Sequence, residues 1–284
     1  MPDLTLSSQL AYAQRLVDIG DAAGAVVVCR HILSALPRCV QGYAVLAEAV
    51  HRLGQVKRAE ELYQRVLSAD PQNCRASLGM SLVQASLGLQ GAARAWRMRA
   101  RDSLLEGAQT FGGWLESEVA RSPETGQALS RGGLAYLMLR SGLVDRALVE
   151  FQLALAEAPW RDDLALGLAE SHYRRAEWAA AVEVGEGLLL RLPDCLKALL
   201  LCGRMLLGSG ADPRARDMLR RAQALDPENR LAQQLFGSDS PLPLRAVRVP
   251  FAMREPLALP YLAVELEQEE EEDVLPPPRL EDLL

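Results

Sequence analysis

The stretch "LGQVKRAEELYQRVLSADP", Leu53–Pro71, decides how this chain folds. A second stretch, "SGLVDRALVEFQLALAEAP" at Ser141–Pro159, has the same grammar in other words. Each carries a glycine, then an alanine four residues ahead of an aromatic (Ala59 and Tyr63; Ala147 and Phe151), then a closing proline. The prolines extend the pattern. Pro37 and Pro71 stand 34 residues apart, and so do Pro159 and Pro193, and Pro193 and Pro227. Ahead of each proline the apolar residues recur at helical spacing, as in Tyr43, Leu46, Ala47 and Val50 before Gly54. The later set Leu199, Cys202, Gly203 and Leu206 before Gly210, then Ala215 and Leu219, follows suit. The first and fifth units are looser.

These spacings predict pairs of antiparallel helices. Glycine stops the first helix and allows the turn. Small residues let two helices approach, and Tyr43, Tyr63 and Phe151 fill the gaps between pairs. Proline ends the second helix, because it has no N–H and clashes with the preceding turn. A lone pair cannot bury its apolar face, so each unit's core is completed by the next.

The phased set resembles the tetratricopeptide repeat family, whose signature of W-x2-L-G-x2-Y, A-x3-F and P recurs every 34 residues. "DPQN" at 70–73 and "DPEN" at 226–229 resemble the unit junctions of that family. The resemblance spans residues 6–230. It implies an all-α, right-handed α-solenoid of about six helix pairs. By the same reading residues 1–105 hold three repeats, 106–127 an irregular connector, 128–237 three more repeats and a capping helix, and 238–284 a tail. The connector contains Gly107, Gly112, Gly113 and Trp114, and it reads as an insertion between two groups of three. The tail is Pro-rich and then acidic, and is expected to be largely extended or disordered.

Bulk properties narrow the function. The chain has 284 residues, of which 49% are hydrophobic and only 5% aromatic. Ala and Leu dominate, which favours helix. No apolar run reaches the roughly 18 residues of a membrane span, and the start "MPDLTLSSQL" lacks the marks of a secretory signal. A cytoplasmic location is therefore expected. Cys29, Cys39, Cys74, Cys195 and Cys202 form no C-x-x-C pair, so free thiols are expected. With His31, His51 and His172 they offer no metal-ligand spacing. The net charge of −6 is uneven. Residues 265–284 carry nine acids against Arg279, leaving residues 1–264 at +2. A near-neutral body argues against direct nucleic-acid binding. No catalytic motif appears, and neither an enzyme activity nor a cofactor is expected.

What remains is partner binding. In the family that this chain resembles, the first helix of each pair lines a concave groove that holds peptides or helices. Carried over by phase, the lining of the first half is Gln14, Glu48, Arg52 and Arg75. That of the second half is Tyr136, Arg140, Glu170, Tyr173, Arg174, Lys197 and Arg204. Aromatics beside cations suit an acidic peptide. The clamp with which some members of the family grip chaperone C-termini is not expected, since only Arg75 or Lys197 matches it. A contact between the groove and the chain's own acidic tail is a further expectation. The leading reading is a protein–protein interaction scaffold. A non-catalytic subunit of an enzyme or envelope-assembly complex, and a regulator acting on nucleic acid through a partner, are alternatives.

Overall fold

The structure is a computed structural model that describes residues 5–104, 129–208 and 213–250. Two compact units are distinguished, residues 1–250 and 251–284, and every described residue belongs to the first. The connector expected at 106–127, Gly210, and the tail from residue 251 with its expected groove contact lie outside the described residues.

Six helix pairs follow one another. They are α1 (Leu6–Ile19) with α2 (Ala22–Ala35), α3 (Val40–Arg52) with α4 (Val56–Ala69), and α5 (Cys74–Ser86) with α6 (Gln90–Leu104). Then come α7 (Arg131–Arg140) with α8 (Val144–Glu157), α9 (Asp162–Arg174) with α10 (Trp178–Arg191), and α11 (Leu196–Gly208) with α12 (Pro213–Leu225). A short helix, α13 (Arg230–Phe236), follows, with a 3-10 turn at Gly237–Asp239. Among the described residues the only β-type pairing is the single bridge between Thr5 and Arg248.

The punctuation works as its chemistry requires. The second helices α2, α4, α8, α10 and α12 each end two residues ahead of Pro37, Pro71, Pro159, Pro193 or Pro227. Gly20, Gly54, Gly88 and Gly142 turn the chain between the helices of the first four pairs, with φ of +97°, +78°, +77° and +77°. The fifth pair uses Ala176 there instead, at φ +59°, which is why its sequence looks loose. Asp21, Asn73 and Ser130 cap their helices by accepting from the backbone N–H of Gly24, Ala76 and Gly133. Ala47, Ala59, Ala135 and Ala147 are fully buried at the close approaches, and Tyr63 and Phe151 fill the space between pairs.

Contacts between pairs are unequal. The first helices touch in succession, α1 with α3, α3 with α5, α7 with α9 and α9 with α11, and the second helices make no comparable contact. The first helices therefore form the inner row, on which the groove residues lie.

After α13 the chain runs extended along residues 241–250 and reaches α1. Asn229 donates to the Pro243 carbonyl at 2.8 Å, and Leu6 N–H donates to the Val247 carbonyl at 2.7 Å. The Gln9 amide donates to the Val249 carbonyl at 2.6 Å, and Val247 and Val249 are buried. Composition set these residues apart as the start of the tail, whereas their two valines and their carbonyls close the free edge of the first pair.

Candidate partner-binding groove

Each half of the repeat array has a buried glutamate on its middle inner helix. In the first half this is Glu48, 1% exposed. Arg75, from the next pair, donates to it twice, at 2.7 and 2.8 Å, and Gln14, from the previous pair, once at 3.1 Å. In the second half it is Glu170, 2% exposed. The Lys197 ammonium lies 2.6 Å away, and Arg174 donates to it from one turn along the same helix. Burial, the largest single effect, would raise the Glu170 carboxyl; Lys197 and Arg174 outweigh it and hold the group below the usual range. Arg52 and Arg174 also play matching roles. Arg52 donates to the Val17 carbonyl and Arg174 to the Leu139 carbonyl at 3.1 Å, each tying its helix to the end of the preceding inner helix.

Gln14, Glu48, Arg52 and Arg75 stand 122 positions ahead of Tyr136, Glu170, Arg174 and Lys197, and Pro37 and Pro71 stand as far ahead of Pro159 and Pro193. The two halves are one three-pair design used twice. The observation that decides the fold is this phased set: 34-residue helix pairs, left-handed turn residues, alanines at close approaches and aromatics between pairs. The fold is a tetratricopeptide repeat solenoid.

No protein-family model matches the chain, and no curated protein matches it. Among solved structures it is similar to a tetratricopeptide repeat protein from Parabacteroides merdae ATCC 43184, at 18% identity over 80% of this chain and 81% of that one, with a TM-score of 0.37. It is also similar to pilF of Pseudomonas aeruginosa, at 17% identity over 79% and 90%, with a TM-score of 0.32. YrrB, described as a tetratricopeptide repeat protein with an unusual peptide-binding site, matches at 14% identity over 72% and 96%, with a TM-score of 0.33. Overlaps this loose bear on neither site nor partner.

The solenoid does not leave all the sequence-selected residues open. Tyr136, Glu170 and Lys197 are buried. Tyr136 packs edge-on against Phe151, ring centroids 5.0 Å apart, and its hydroxyl donates to the Asp163 carbonyl at 2.7 Å. Against Tyr136 and Lys197 lies Gln72, from the corner between α4 and α5. That residue was not selected from the sequence. "DPQN" reads as a junction, and nothing local says that its glutamine reaches the other half. A rim of charges flanks it: Arg161 bridges Asp163 at 2.6 Å and Asp102 at 3.0 Å, Arg99 stands 3.3 Å from Asp163, and Ser130 donates to Asp102 at 2.5 Å.

Further along the inner row the groove stays accessible. Arg140 and Arg174 are exposed, at the same register on successive inner helices. Tyr173 and Arg204 are half-buried. The Tyr173 ring meets Trp178 and Phe236 at centroid distances of 5.5 and 5.6 Å. Burial raises its hydroxyl, and the neighbouring Arg204 works against that rise. Arg204 has a buried Nε with no hydrogen-bond partner.

All five cysteines are buried and free. Burial pushes Cys29, Cys74, Cys195 and Cys202 up to about 12 and Cys39 to about 11, so they stay protonated at neutral pH. Among the described residues no group of three or more His, Cys, Asp or Glu converges as a metal site requires, and no described helix is long and apolar enough to cross a membrane.

Proposed function

We propose that the chain is a non-catalytic protein-interaction scaffold that holds an acidic segment of a partner protein along the second half of its inner row. The surface is Arg140, Arg174, Tyr173 and Arg204. The observation that carries this reading is the exposure of Arg140 and Arg174 at one register on successive inner helices, beside the half-buried Tyr173 and Arg204. Charge points the same way. Arg140 makes no ion pair among the described residues, and the buried Glu170 carboxylate is met by both Arg174 and Lys197. The matching first-half set is balanced, with Asp18 and Glu48 against Arg52 and Arg75.

Spacing specifies the ligand further. Neighbouring helix axes lie about 8–10 Å apart, and an extended peptide rises about 3.3 Å per residue. Acids about three residues apart would therefore meet Arg140 and Arg174 together, each pair forming charge-assisted hydrogen bonds. The test is a fluorescence-polarisation titration of labelled twelve-residue peptides carrying Glu at every third position, or Lys in its place. The Glu peptide is expected to bind, the Lys peptide to bind at least about tenfold more weakly, and the double variant Arg140→Ala with Arg204→Ala to lose about tenfold for the Glu peptide. Equal binding of both peptides, or an unaffected double variant, would defeat the reading.

A further inference from the structure

The inner half of the second groove is already taken, and its occupant belongs to the chain. Gln72 sits at the corner between α4 and α5 and is 5% exposed. Its backbone is fixed from behind: Asp70 accepts from the Gln72 N–H at 3.2 Å and from the Asn73 side chain at 3.1 Å. Its side chain is met by the second half on both sides. Lys197 Nζ donates to Gln72 Oε1 at 2.8 Å. Gln72 Nε2 donates to the Tyr136 hydroxyl at 3.2 Å and lies 3.4 Å from the Asp163 carbonyl. The amide's acceptor and donor are both satisfied by groove residues, as those of a bound ligand would be.

The contact is polar and is made from a corner of the chain, not from a helix face. None of the helices α1–α5 packs at length against any of α7–α12. Residues of both halves belong to one buried apolar cluster, and the polar contacts between these parts lie at corners: Gln72 on Tyr136 and Lys197, and Arg38 on Asp194 at 2.6 Å across an exposed rim. Within each half, by contrast, every pair is packed helix on helix.

We propose that the Asp70–Pro71–Gln72 corner is a built-in occupant of the second-half groove, so that Tyr136 and Lys197 open to a partner only when Gln72 leaves. Gln72 offers Lys197 a neutral amide oxygen. A partner carboxylate would give the same ammonium, which already holds Glu170 at 2.6 Å, a second ion pair in place of the amide contact, and this gives displacement a driving force. That last step rests on the reading of the inner row as a partner surface; the occupancy does not.

The sequence supplies its own reporter. Lys57 and Lys197 are the two lysines of the chain; Lys57 is exposed and Lys197 is 7% exposed. A short pulse of an amine-acetylating reagent on the full chain, read by mass spectrometry site by site, reports opening at Lys197 with Lys57 as the internal control. Lys197 should react at least about tenfold more slowly than Lys57 in the native chain. Gln72→Ala should speed Lys197 by about tenfold and leave Lys57 unchanged. Tyr136→Phe keeps the ring on Phe151 and removes only the hydroxyl, and should speed Lys197 by about threefold. Lys197 reacting as fast as Lys57 in the native chain, or no faster in either variant, would overturn the proposal. No partner enters this measurement, so its failure is distinct from failure of the peptide titration.

Discussion

A Cβ added at Gly79 would stand 2.1 Å from the Tyr63 ring, and one at Gly167 would stand 2.5 Å from the Phe151 ring. Each aromatic presses its edge on the inner helix of the next pair, and only a missing side chain leaves room. Gly79→Ala and Gly167→Ala should each lower stability by about 1–3 kcal/mol in a denaturant melt. Gly187→Ala is the control: its added Cβ meets nothing within 4 Å, and helix propensity should make it stabilising by about 0.5–1 kcal/mol. The aromatics were legible as gap fillers from their place after Ala59 and Ala147. The two glycines were not, because what demands them is a ring sixteen residues earlier on another helix. Equal effects of all three substitutions would contradict the packing described.

At the scale of the helix pair, prolines and glycines carry nearly all of the legible signal, since each acts through its own backbone chemistry. Phase also brought Gln14, Glu48 and Arg75 together from three different pairs, and they do meet. Phase could not say that those charges would spend themselves on one another. Glu170 tests that electrostatic strut. Its carboxyl is held low in the folded chain, so the stability it adds is present above the ordinary glutamate value of 4.5 and lost as pH falls through the lower folded value. The native chain should exceed Glu170→Gln by about 3 kcal/mol at pH 7, and the gap should narrow below about pH 4.5. A gap constant from pH 7 to pH 3 would show that Glu170 is not ionised in the groove.

At the scale of the whole described chain, the sequence is nearly silent. Val247, Val249 and Gln72 belong to no periodic pattern, and their partners are α1 and the second-half groove, far away in sequence. A period reports on neighbouring units, and these contacts join units that are not neighbours. Gln72 covers Tyr136 and Lys197, while Arg140 and Arg174 stay exposed. The direct test is a double-mutant cycle on stability with Gln72→Ala and Lys197→Met, measured by urea unfolding. Two residues 125 positions apart should couple by about 1–2 kcal/mol; effects additive to within about 0.3 kcal/mol would mean that the corner does not sit in the groove.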